Sequence, residues 1–191
     1  MPGLRQGYPG LVSTASGIVQ YFPPCKLYVE PFAGLGRTAE FVTETPMVLN
    51  DMSDYAVGYL KESFPNAIVT QEDFADCIRK HDGPNTLFFM DPPWSRIDYK
   101  DNPKTYCDRG VGDYYGQLRK LLPTIQGNWI LAGRALGGAR STVSVYFKDY
   151  NSVIIEGNRT INGHRTKVKI VSNTELVPTV VKRCTHCGGM T

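Results

Sequence analysis

The stretch YVEPFAGLGR, residues 28–37, decides the fold, because it begins as a strand and empties into a glycine-rich turn. The apolar run KLYVE, 26–30, has the pattern of a buried strand, and Gly34 and Gly36 are predicted to open a helix reaching about Glu44. The same grammar repeats downstream. MVLN, 47–50, is a second strand ending at Asp51, and Ser53 is placed to cap a helix over SDYAVGYLKESF. AIVT, 67–70, is a third strand followed by a helix over EDFADCIRKH, and TLFFM, 86–90, is a fourth strand followed by Asp91-Pro92-Pro93-Trp94. Strands alternating with helices of ten to fifteen residues require crossover connections and hence a parallel sheet.

Beyond the fourth strand the pattern changes. A polar stretch, 95–112, precedes a helix over GDYYGQLRKLL and a fifth strand over NWILAG. SVIIE and TKVKIVS then read as a strand pair joined by GNRTINGHR, in which Asn162-Gly163 is a turn signal. A closing hairpin implies one antiparallel strand at or near an edge. At the other end, LVSTASGIVQYF, 11–22, reads as an opening helix that Pro23-Pro24 terminates. The expectation is a single three-layer α/β domain over residues 1–178, with 179–191 as a flexible tail.

The chain has 191 residues and ordinary globular composition, with 41% apolar and 20% charged residues. No apolar run reaches the length of a bilayer crossing, and MPGLRQGYPG lacks the apolar stretch of a secretory signal. Five scattered cysteines suggest a reduced, cytoplasmic setting rather than a disulfide framework. Charge is uneven. Residues 1–133 carry 12 Lys and Arg against 15 Asp and Glu, net −3, whereas residues 134–191 carry 9 against 3, net +6. A basic C-terminal third fits either a solvated face or a polyanion partner.

In an open parallel sheet the ligand crevice lies beyond the carboxyl ends of the strands. Glu30, Asp51, Asp73 and Asp91 follow four successive strands, so all four belong on one rim. The AGLG turn allows backbone to approach a ligand, or is only a tight turn; it lacks the Lys-Ser/Thr pair of a phosphate loop, since Arg37-Thr38 follows Gly36. Asp51 stands 21 positions after Glu30, where a carboxylate can accept both hydroxyls of a ribose. An acidic rim favours a cationic ligand over a pyrophosphate. In the DPPW stretch, Asp91 and the carbonyl of Pro92 supply two acceptors, Pro93 stiffens the turn, and Trp94 supplies a stacking face. That set suits a planar ring bearing an amino group.

Taken in order and spacing, VEPFAGLG, LND, EDF and DPPW resemble the Dam-like class of N6-adenine DNA methyltransferases over about residues 7–175. The resemblance implies a Rossmann-like class I methyltransferase fold with a mostly parallel seven-stranded sheet whose seventh strand is antiparallel. It implies S-adenosylmethionine as cofactor, S-adenosylhomocysteine as product, and no metal. Tyr8, Pro9 and Gly10 match the N-terminal cofactor segment, although QGYPGLVS has no lysine there. Glu30, Pro31, Phe32, Ala33, Gly34 and Gly36 would hold the methionine part. Asp51, with Met52 beside it, would take the ribose, and Asp73 with Phe74 the cofactor's adenine. Asp91, Pro92, Pro93 and Trp94 would receive a target adenine flipped out of DNA. Relatives usually carry tyrosine where Trp94 stands, and a sizeable target-recognition insertion for which this chain has no room.

Site choice is therefore expected from the 95–112 loop, from the hairpin, or from a second copy or accessory partner. The loop carries Arg96, Lys100, Lys104 and Arg109 between tyrosines, diluted by three aspartates; the hairpin carries Arg159, His164, Arg165 and Lys167. These eight are the expected nucleic-acid contacts. The leading expectation is adenine-N6 methylation of DNA, as in a restriction–modification system, a virus or a solitary regulator. The alternatives are an RNA base methyltransferase of guanine-N2 or adenine-N6 type and a non-catalytic nucleic-acid-binding subunit. Cys184-x-x-Cys187 with His186 is half a zinc site or a tail motif; the other cysteines are read as core, and His81 as a helix-end cation without catalytic role.

Overall fold

The computed structural model describes residues 14–93, 113–135, 141–159 and 165–179. Helix α1 (Ala15–Val19) leads into strand β1 (Leu27–Glu30). Strand β2 (Met47–Asn50), helix α2 (Asp54–Ser63), strand β3 (Ile68–Thr70), helix α3 (Phe74–His81) and strand β4 (Thr86–Met90) follow. Helix α4 (Tyr114–Leu121), strand β5 (Asn128–Arg134), helix α5 (Thr142–Tyr146), strand β6 (Asn151–Arg159) and strand β7 (Arg165–Ser172) complete the order.

The seven strands form one sheet in the order β3-β2-β1-β4-β5-β7-β6. β3, β2, β1, β4 and β5 run parallel, while β7 is antiparallel to both β5 and β6. The seven-stranded sheet with its antiparallel member is the one expected. β4 is buried at all five positions, which is why its sequence is a continuous apolar run rather than an alternating one. Alternate strand residues feed two cores. Val29, Val48, Phe88, Met90 and Trp129 pack with Phe74, Ile78, Leu118 and Phe147 from the α3 to α5 side. Tyr28, Leu49, Leu87, Phe89 and Ile130 pack on the other face with Ile18 of α1 and Leu60 of α2.

The helix starts are set by side chains. Ser53 accepts the Ala56 amide at 3.4 Å, Asp73 the Ala75 amide at 2.8 Å and Asp113 the Gly116 amide at 2.9 Å. Arg79 and Lys80 occupy the last turn of α3, where positive charge complements the helix dipole; His81, expected there as a cation, instead has its pKa lowered by burial and by the Lys80 charge. α1 approaches β6 so closely that a Cβ on Gly17 would stand 2.9 Å from Ile155 Cγ2, so any side chain there would force Ile155 or the helix to shift.

Three elements differ from the sequence reading. The helix expected from the glycine turn to Glu44 is only a short 3-10 turn, Ala39–Phe41. Thr38, Val42, Thr43 and Thr45 are β-branched, and Pro46 biases Thr45 away from helical angles; Glu44 ends with a positive φ of 62°. The opening helix spans only 15–19 within the described part of 11–22. α5, over TVSVY, has no counterpart in the sequence reading, because its alternation mimics a strand; the Ser141 hydroxyl, accepting the Ser144 amide at 3.3 Å, starts it. At the C-terminal end Thr179 donates to Gln20 O through its amide at 2.6 Å and its hydroxyl at 2.8 Å. The remainder of the expected tail lies outside the described residues.

Candidate active site

The strand order reverses between β1 and β4, and the crevice at their carboxyl ends is where the acidic rim assembles. Asn50, the last residue of β2, organises it. The residue is fully buried, and its amide nitrogen donates to Pro31 O at 3.1 Å and to Glu72 O at 2.9 Å. Its Oδ1 accepts the Thr70 hydroxyl and the Glu72 amide, both at 2.9 Å. All four hydrogen-bonding positions of one carboxamide are thus used. They tie the turn after β1 to the turn after β3. Asn50 is the middle residue of the LND triplet, but the sequence reading assigns a role only to Asp51; a polar residue ending an otherwise apolar strand is the further signal.

The glycine turn hangs from the same strand end. The Ala33 amide donates to Asn50 O at 2.8 Å, and the Gly34 amide to Asp51 Oδ2 at 2.8 Å. Asp51 Oδ1 accepts the Ser53 amide at 2.9 Å. Gly34 and Gly36 have φ of 52° and 67°, in the left-handed region that side chains disfavour. Behind the turn, a Cβ on Gly36 would lie 2.6 Å from Phe64 Cε2. The turn is rigidly seated against α2 rather than launching a long helix. Each Asp51 oxygen accepts one amide and keeps a second lone pair, so the carboxylate can still receive two hydroxyls.

Glu30 ends β1 at 3% exposure, and the Tyr28 hydroxyl donates to its Oε1. Burial pushes the Glu30 carboxyl up to about 8; the Tyr28 hydrogen bond and the Ala39 amide oppose the rise, and the neighbouring Asp91 charge adds to it. Asp91 is half-buried at the end of β4, Pro92 is buried and Pro93 half-buried. At neutral pH the rim therefore holds a neutral Glu30 beside Asp91.

Phe32, half-buried, stacks on Phe74 with centroids 5.0 Å apart, and Tyr114 meets both rings edge-on at 5.5 and 5.6 Å. Phe74 is 4% exposed and belongs to the core, supporting the crevice floor from below. Asp73 is exposed and caps α3, and Met52 is 67% exposed beside Asp51. Pro31 and Ala33 are buried in the turn. The structure thus brings Glu30, Asp51, Asp73 and Asp91 to one end of four adjacent strands. Tyr8, Pro9, Gly10, Trp94, Arg96, Lys100, Lys104, Arg109, His164 and the Cys184-x-x-Cys187 stretch lie outside the described residues.

β6 runs parallel to β4 through β5 and β7, so the chain leaves β6 on the Asp91 rim. Arg159 and Arg165 stand opposite each other in the β6–β7 register. Lys167 is exposed and pairs with Glu156 Oε1 at 2.7 Å.

No protein-family model and no curated protein sequence matches the chain. Solved structures do share its fold. A SAM-dependent methyltransferase from Anabaena variabilis aligns with TM-score 0.50 and 14% identity, over 82% of this chain and 80% of the other. An rRNA methylase from Streptococcus thermophilus aligns with TM-score 0.50 and 12% identity, over 84% and 94%. A precorrin 8W decarboxylase from Methanobacterium thermoautotrophicum aligns with TM-score 0.52 and 14% identity, over 84% and 88%. Sheet order, the antiparallel β7 and these likenesses together give the chain the Rossmann-like fold found in S-adenosylmethionine-dependent methyltransferases.

Proposed function

We propose that this chain transfers a methyl group from S-adenosylmethionine to the exocyclic N6 amine of adenine in DNA. The observation that carries the reading is the juxtaposition of Asp91-Pro92-Pro93 at the end of β4 with the Glu30–Gly36 turn at the end of β1, close enough for Asp91 to raise the Glu30 pKa. The residues present fit the cofactor: Asp51 keeps two acceptor positions, the glycine turn is pre-set by Asp51 and Asn50, and an acidic rim suits a cation. The cofactor supplies an electrophilic methyl group on a sulfonium.

The chain's own residues do the rest. Asp91 and the Pro92 carbonyl accept hydrogen bonds from the adenine amine, whose lone pair is otherwise delocalised into the ring. Those bonds localise the pair for attack. The Asp91 carboxylate also stabilises the positive charge that develops on nitrogen, an effect strengthened by its half-buried setting. Arg159 and Arg165 occupy opposed positions on the same rim. Both register positions lie where the chain turns over the Asp91 rim, and we assign these two arginines to phosphate contact. Lys167, with Arg96, Lys100, Lys104, Arg109 and His164, would extend that interaction.

A second reading, methylation of an RNA base, draws support from the fold likeness to a protein named as an rRNA methylase. Incubation of the protein with methyl-labelled cofactor and either DNA or RNA separates the two. Label in N6-methyladenine of DNA is the expected result, and label in RNA alone refutes the DNA reading.

A further inference from the structure

Outside the crevice, three chemically unlike side chains converge at the start and along one face of α3. Glu72 immediately precedes the Asp73 cap, and Cys77 and His81 lie one helical turn apart. One ligand atom from each of Glu72, Cys77 and His81 lies within 4.8 Å of the other two. Cys77 is fully buried, while Glu72 and His81 are half-buried, so the cluster is roofed on one side and open on the other. Nε2 of His81 is shielded from solvent and has no hydrogen-bond partner among the described residues. A shielded ring nitrogen of this kind is costly unless something occupies it.

We propose that Glu72, Cys77 and His81 form a binding site for one borderline-soft divalent cation of the zinc type. A thiolate, an imidazole and a carboxylate are the ligand set zinc selects over magnesium or calcium. With bonds of about 2.0–2.3 Å, tetrahedral ligands stand roughly 3.3–3.8 Å apart, so rotamer shifts of about 1 Å close the present spacing. Cys77 loses its thiol proton to solvent on binding. The open side leaves a fourth position for water. Lys80 Nζ lies 3.3 and 3.4 Å from the two Glu72 oxygens. Its side chain is 56% exposed, so it swings into solvent as the cation enters.

The site is coupled to the rim by backbone. Asn50 holds Glu72 at both its amide and its carbonyl, and Asp73 is the next residue. A cation on Glu72 therefore stiffens the β3–α3 turn without touching the β1–β4 crevice. From sequence, Cys77 reads as a core residue and His81 as a helix-end cation, because a four-residue helical spacing reveals no third ligand across a turn.

The test uses the full chain carrying Cys184→Ser and Cys187→Ser, so that the terminal cysteines contribute nothing. After dialysis against a chelator, zinc is restored and bound metal measured, and cobalt is titrated in parallel. We expect one zinc per chain and a cobalt spectrum with a thiolate charge-transfer band. His81→Ala and Glu72→Gln, both at half-buried positions, should each weaken zinc binding by on the order of tenfold or more. Loss of zinc binding in the Cys184/Cys187 variant, undiminished binding in His81→Ala, or a cobalt spectrum without the thiolate band overturns the site.

Discussion

The Tyr28 hydroxyl donates to Oε1 of Glu30 inside the rim, one residue from the turn that frames the crevice. The pair keeps a carboxyl buried where its pKa rises to about 8 from an ordinary 4.5. A raised carboxyl pKa means that the folded chain holds one more proton than the unfolded chain between those values. Stability from this group is thus fully present below about 4.5 and is lost as pH rises toward 8. The slope is up to about 1.4 kcal/mol per pH unit. Glu30→Gln keeps a neutral side chain of the same size. Urea unfolding across that window should show wild-type stability falling relative to Glu30→Gln. Parallel curves for the two proteins contradict a neutral Glu30.

Asp51 both holds the glycine turn and faces the crevice, so its loss acts twice. Asp51→Ala leaves the Gly34 and Ser53 amides without their 2.8 and 2.9 Å acceptor. The cost to folding is about 1–3 kcal/mol, read by denaturant unfolding. Binding of S-adenosylmethionine, read by calorimetry, should weaken by more than about tenfold. Unchanged cofactor affinity at reduced stability would assign Asp51 to the turn alone.

Gly36 is fixed by two separable constraints. Its φ of 67° costs a substituted residue about 1–2 kcal/mol, and Phe64 stands 2.6 Å from where a Cβ would be. Gly36→Ala should therefore destabilise by about 2–5 kcal/mol, including about 1–3 for the clash. In a double-mutant cycle with Phe64→Ala the clash component should be relieved, giving a favourable coupling while the backbone component stays. Additive effects would show that the turn relaxes away from Phe64.

Much of the frame is written in residue patterns. The all-apolar TLFFM announces a strand buried on both faces, and Ser53 announces a helix start, whereas the caps supplied by Asp73 and Asp113 emerge only from the structure. The four acids are legible because each ends or closely follows a strand-like apolar run. What escapes a sequence reading is long-range. Asn50 engages Pro31, Thr70 and Glu72, partners that no local window contains. The glycine turn predicts a helix, but the β-branched residues and Pro46 after it win over the turn's usual continuation. The alternation of TVSVY points to a strand, and only the Ser141 cap and the packing on α4 and β5 decide for a helix.

Asn50 gives a sharp stability test, since its four bonds are all internal. Asn50→Asp is nearly isosteric yet loses both donors, leaving the Pro31 and Glu72 carbonyls facing a carboxylate. Removing donors from buried partners costs about 1–3 kcal/mol each, so a loss of roughly 2–6 kcal/mol is expected by thermal or urea unfolding. A mild effect below about 1 kcal/mol would mean that water replaces those donors.

Turnover should depend on Asp91 far more than cofactor binding does. Asp91→Ala removes the acceptor proposed to polarise the amine and should lower the methylation rate by about a thousandfold or more, with cofactor affinity changed only a few-fold. On the proposed reading, DNA affinity should depend on other residues. Arg159 and Arg165 stand opposite one another at the rim, and removing one phosphate-binding side chain should reduce the slope of log affinity against log salt by about 0.9. Arg159→Ala with Arg165→Ala should thus flatten the slope by nearly two and weaken binding most at low salt. Lys167→Ala should have a smaller effect than either arginine, because Glu156 already neutralises the ammonium at 2.7 Å. Equal slopes for wild type and the double variant would remove the hairpin from the DNA interface while leaving the Asp91 chemistry intact.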